Sequence, residues 1–160
     1  MYVPFSATGH AKFSEGFVVE FLPASGDPWI GNFAKGLTTF SKAVLHPNGL
    51  TVIVVSAGQC YVVDPNTRKL VGTFGGWFVD ALEIPARGMI VLQSPIDFSA
   101  TNRTGRGWTT RRLSVDGFRS IRVSGEKLIG EAWDLGDTWT SFEVDLASGK
   151  ATGGQRSLEA

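Results

Sequence analysis

Glu20-Phe21-Leu22-Pro23-Ala24-Ser25-Gly26-Asp27, Val62-Val63-Asp64-Pro65-Asn66-Thr67-Arg68-Lys69, Ser99-Ala100-Thr101-Asn102-Arg103-Thr104-Gly105-Arg106 and Glu143-Val144-Asp145-Leu146-Ala147-Ser148-Gly149-Lys150 are four settings of one short phrase. Their starts lie 42, 37 and 44 residues apart (62 − 20, 99 − 62, 143 − 99). A near-constant period of that size marks stacked supersecondary units. Each copy reads as a turn. In the second, Asp64 is placed to accept from backbone N–H groups two residues on, and Pro65 presets φ at the next position. In the fourth, Ser148-Gly149 does similar work.

Outward from the phrase, strand signals are everywhere. Leu50-Thr51-Val52-Ile53-Val54-Val55, stopped by Ser56-Ala57-Gly58, is a short β-branched run suited to a strand buried on both faces. Met89–Leu92 and Lys127–Trp133 hold the same place in their repeats. A turn precedes each run: His46-Pro47-Asn48-Gly49, Pro85-Ala86-Arg87-Gly88 and Ser124-Gly125-Glu126. No window sustains apolar residues at helical spacing for three turns, and 20 glycines and 7 prolines interrupt the chain. Four antiparallel four-stranded repeats are expected, roughly 1–36, 37–76, 77–116 and 117–157. The second has strands at Lys42–Leu45, Leu50–Val55, Gln59–Asp64 and Leu70–Phe74, and the fourth at Phe118–Val123, Lys127–Trp133 and Thr138–Asp145. The first, least regular, has them near Val3–Ser6, Ala11–Ser14, Phe17–Leu22 and Pro28–Phe33. In the third, Gly107–Val115 is expected as the outermost strand. No linker divides the repeats, so a single all-β domain over 1–160 is expected.

With about 40 residues per four-stranded unit and an Asp-x-x-[Thr/Ser]-[Gly/Arg]-[Lys/Arg] turn between outer strands, the chain resembles the β-propeller superfamily. The resemblance implies a small propeller-like domain with one blade per repeat. The Gly-His and Trp-Asp signatures of WD40 repeats are not in place, since Trp133-Asp134 ends a second strand and not a third. Two other arrangements fit the same repeats: a two-sheet β-sandwich, and a half-propeller closed by dimerisation.

The 160 residues carry no net formal charge, but its distribution is uneven. From Asp80 to Arg122 seven arginines face four carboxylates (+3), and from Val123 onward three basic residues face seven acidic ones (−4). Such two-sidedness bears on how partners are steered. The single Cys60, in an apolar run, reads as a small buried hydrophobe, and its isolation suits a reducing compartment. The N-terminal residues have no signal-peptide pattern, and no run approaches the roughly 18 apolar residues of a membrane span. A cytoplasmic protein without membrane contact is expected.

Chemistry is hard to find. His10 and His46 are the only histidines, with no zinc spacing, so no metal or cofactor is expected. Glu131, Asp134 and Asp137 share one hairpin and read as a solvated acidic turn in preference to a cation site. There is no Gly-x-Ser-x-Gly elbow, and the glycine-rich stretches 72–76 and 105–107 lead into no helix. No catalytic residue is assigned. What remains are binding residues: Arg103, Arg106, Trp108 and Arg111 as a basic aromatic patch, and Trp77, Asp134, Asp137 and Trp139 near loops. Arg and Trp are enriched at interface hot spots, and arginines on an edge strand also guard against aggregation. Zero net charge argues against nucleic acid. A non-catalytic module binding another protein, such as an inhibitor or immunity-type protein, is the leading expectation. The alternatives are a hydrolase or lyase using Asp80, Asp134 and Asp137, and a structural subunit of a homo-oligomeric ring, with a homodimer as its smallest form.

Overall fold

The computed structural model describes residues 1–8 and 15–155. It is all-β, and helix among the described residues amounts to one 3-10 turn, Pro85–Arg87. The expected strand Ala11–Ser14, His10 and the terminal Ser157–Ala160 lie outside the described residues. The chain falls into two compact units, Met1–Asp80 and Ala81–Ala160, each built of two sheets.

In the first unit, sheet 1 holds β1 (Tyr2–Phe5), β2 (Phe17–Phe21) and β3 (Trp29–Phe33); sheet 2 holds β4 (Lys42–Leu45), β5 (Val52–Ser56), β6 (Gln59–Asp64) and β7 (Lys69–Gly75). Sheet 2 is the expected antiparallel meander, and β5 is buried on both faces. Sheet 1 departs from the pattern: its order is β1-β3-β2, and β1 runs parallel to β3. Aromatic pairing accounts for this, because the register sets Phe5 beside Phe33 with rings 4.8 Å apart and 8° from parallel. Between the sheets lie Phe5, Phe21, Trp29, Phe33, Val54, Tyr61 and Val63.

In the second unit, sheet 3 holds β8 (Asp80–Ile84), β9 (Met89–Gln93), β10 (Phe98–Asn102) and β11 (Gly105–Thr109); sheet 4 holds β12 (Phe118–Ser124), β13 (Lys127–Asp134), β14 (Thr138–Asp145) and β15 (Ala151–Gly153). Both are antiparallel meanders around a core that includes Met89, Phe98, Leu128 and Phe142. The strand expected over Gly107–Val115 is corrected here: β11 begins earlier and stops at Thr109. Leu113, fully buried, drops into the core and draws residues 110–117 off the sheet edge.

The returning phrase is a turn in every copy, and its seventh residue always takes a positive φ: Gly26 (99°), Arg68 (61°), Gly105 (125°) and Gly149 (74°). Asp64 Oδ1 accepts the N–H groups of Asn66 and Thr67, Asn102 Oδ1 that of Thr104, and Asp145 Oδ1 those of Ala147 and Ser148.

The sheets are also tied in pairs. Trp29 and Trp108 stand two residues beyond the first and third copies, 79 residues apart (108 − 29). Each donates its indole N–H to the carbonyl of the fourth residue in the next copy: Trp29 to Pro65 and Trp108 to Leu146, both at 2.8 Å. In the second and fourth repeats Val71 and Thr152 hold that place, and neither carries an indole N–H. Backbone bonds repeat the pairing, with Gly36 N–H donating to Ser56 O and Val115 N–H to Trp133 O, both at 2.9 Å.

Candidate functional site

Sheet 4 presents one face to the core of its unit and the other outward. Leu128, Gly130 and Ala132 of β13 are buried beside Phe142 and Val144 of β14. The alternate residues point the opposite way. On that outward side the register sets Glu131 between Arg119 and Ser141, and Trp133 opposite Trp139. The two indoles meet edge to face, with centroids 5.2 Å apart and planes at 88°. The Arg119 guanidinium lies 4.3 Å over the Trp139 ring and donates to Glu131 at 3.2 Å. Arg119 remains half exposed and Glu131 a third exposed, and both indoles are half-buried. A cation over an aromatic face, steadied by a carboxylate, is a rigid amphipathic cluster at a partly wet surface.

Beside the cluster, on the same strands, Lys127 donates to Glu143 at 2.7 Å. These two line a shallow groove of about 230 Å³ with Asp145, Ser148, Lys150 and Thr152. The hydrogen bond and the charge of Glu143 push the Lys127 ammonium above its ordinary pKa. The Ser148 backbone N–H, then its hydroxyl, hold the Asp145 carboxyl below its ordinary value. The groove's two cations and two anions balance, so it offers hydrogen bonds and no net charge.

The other candidates sit as follows. Asp134 and Asp137 bound the β13–β14 turn: Asp134 accepts the Leu135 N–H at 2.7 Å, and Asp137 adopts a left-handed φ of 57°. Glu131 and Asp134, three apart on one strand, point to opposite faces, so the hairpin does not gather its carboxylates. Trp77, in the loop after β7, is 42% exposed. Arg103 lies against Gly88, and Arg106 sits exposed on β11. Trp108 is held by Leu146 O and packs on Gly149. Arg111 donates to the carbonyls of Gly153 and Gln155 at 2.7 and 3.3 Å. These bonds give Trp108 and Arg111 intramolecular work, joining sheet 3 and its exit segment to sheet 4. Cys60 is fully buried, as its apolar run implies.

Asp134, Asp137 and Trp139 therefore share one hairpin, and Arg119, Glu131 and Trp133 join them from the same sheet. The last three were missed as a set. Alternation over residues 131–133 and 139–141, folded about the Asp134–Asp137 turn, carries the signal that puts Trp133 opposite Trp139. Among the described residues no group of three or more His, Cys, Asp or Glu could hold a metal ion, and no helix is long and apolar enough to cross a membrane. No protein-family model matches the chain, and no curated protein matches it.

Proposed function

We propose that this chain is a non-catalytic protein-binding module, with the outward face of sheet 4 as its contact surface and Trp139 as the anchor. The supporting observation is the Arg119–Trp139–Trp133 cluster: two residue types enriched at hot spots, stacked and partly exposed on a strand pair. Such a surface suits shape and stacking recognition, and the acidic β13–β14 turn beside it suits a partner with basic character. In this reading the repeated sheets are a rigid scaffold of propeller-like blades. A version in which the partner is an enzyme held inactive fits the same surface.

The test is affinity capture from the source cell under conditions that preserve nanomolar complexes, using wild type, Trp139→Ala and Arg119→Ala as baits. A stoichiometric partner is expected on wild type, with Trp139→Ala weakening it by about 2 kcal/mol, roughly thirtyfold. Absence of any such partner, or one held equally by all three baits, refutes the proposal.

A further inference from the structure

We propose that β14 carries an open docking edge for an extended segment of a partner protein, and that this segment sets a basic side chain against the Asp134–Asp137 turn. The inference rests on the protein-binding reading above and names the kind of partner.

Hydrogen-bond alternation defines the edge. Asp145 N–H donates to Lys150 O and Gly154 N–H to Ser141 O, both at 2.9 Å. Odd-numbered residues of β14 thus aim their backbone groups toward β15, and even-numbered ones toward β13. But β15 pairs only with Phe142–Val144. Beyond it the chain turns away through Gly153 (φ 77°) and Gly154 (φ 70°), so that Gln155 N–H reaches Leu113 O at 2.6 Å. Arg111 fastens the departure by its bond to Gly153 O. The turn admits only glycine: a Cβ at 153 would come within 2.2 Å of Ser141 O, and one at 154 within 2.8 Å of Leu113 O.

Among the described residues, nothing therefore meets the N–H and C=O of Trp139 or the N–H of Ser141. These make a donor–acceptor–donor row beside the Trp139 ring. Proteins usually blunt such a row with lysine, proline, a bulge or a covering loop. Thr138-Trp139-Thr140-Ser141 has no lysine or proline, pairs with β13 without a bulge, and is made of good strand formers. A row of that kind is what strand addition uses: main-chain bonds supply affinity and alternate side chains specificity. At its end Asp134 and Asp137 have no lysine or arginine within ion-pair distance among the described residues. That is the charge a basic side chain would complement.

The probe is a displayed library of linear twelve-residue peptides, selected on the intact chain and counter-selected on Ser141→Pro. That substitution deletes an outward N–H while sparing the bonds to β13, and its unfolding curve must match wild type. If Ser141→Pro does not fold, Asp134→Asn/Asp137→Asn replaces it, read against the same peptides with and without their basic residue. Expected are proline-poor peptides with a Lys or Arg near one end, losing at least tenfold in affinity on Ser141→Pro and about fivefold on the Asn pair, and protecting the Trp139 and Ser141 amides from hydrogen exchange. No enrichment over the variant, or binding that leaves both amides unprotected, overturns the inference. A captured partner that needs Trp139 but ignores Ser141→Pro removes the docking edge and leaves the protein-binding reading standing.

Discussion

Replacing Gly149 with alanine tests whether Trp108 holds sheet 3 against sheet 4. At Gly149 (φ 74°) a Cβ would stand 2.5–2.6 Å from three Trp108 atoms, Cγ, Cβ and Cδ2. These belong to the root of the indole, which cannot swing aside while its N–H is bonded to Leu146 O. Two costs are then added: about 1–2 kcal/mol for a Cβ on a left-handed backbone, and about 1–3 kcal/mol for overpacking. Gly26 isolates the first, because it holds the same place in its phrase with φ 99° and nothing within 4 Å. Gly149→Ala is thus expected to lose about 2–5 kcal/mol and Gly26→Ala about 1–2. In a chain of this size the difference is worth several degrees of Tm. Urea and thermal unfolding followed by circular dichroism would measure both. In a Trp108→Ala background, which removes Cγ and Cδ2 and keeps the Cβ 2.6 Å away, the Gly149→Ala cost should fall while staying above the Gly26 value, a coupling read directly from the double-mutant cycle. Equal losses at Gly149 and Gly26, or no coupling to Trp108, would refute the reasoning.

Two further outcomes follow from single residues. Arg68 alone fills the positive-φ place of the phrase with a side chain, so Arg68→Gly should gain up to about 1 kcal/mol in the same unfolding assay, the relief of strain exceeding glycine's entropic cost. His46, 6% exposed, is held below its ordinary pKa of 6.5 by desolvation, and its Nδ1 accepts the Asn48 N–H. Because the unfolded chain takes the proton first, stability is present above pH 6.5 and is lost as pH falls from there through the lowered folded value. His46→Asn keeps an acceptor for that N–H without titrating, so stability measured from pH 7 to 5 should lose that part of its slope.

The strands and turns of sheets 2 and 4 were legible because each is a local event. A β-branched run fixes a strand, and Asp64 or Asp145 with a left-handed seventh residue fixes the turn that follows. Sheet 1 was less so: β1 joins β3 in parallel through Phe5 and Phe33, a pairing 28 residues apart in sequence (33 − 5) that no local signal announces. The site divides in the same way. Trp139 and the acidic turn stood out beside a loop, whereas Arg119 belongs with them only once β12 is registered on β13 across an irregularity between Arg119 and Arg122. Trp108 and Arg111 looked available because a sequence shows side chains and not the carbonyls of Leu146 and Gly153 that receive them.

The indole bonds of Trp29 and Trp108 occur in alternate repeats, and this gives the chain a natural denominator of two. A sheet made from the first or third repeat carries a bolt, and one made from the second or fourth carries the socket. Cut between β7 and β8, each half would keep a bolt with its own socket; a cut between β3 and β4 would part Trp29 from Pro65, and one between β11 and β12 would part Trp108 from Leu146. Gene fragments, permuted termini and grafted insertions should accordingly be accepted at the middle of this chain and resisted at its quarters.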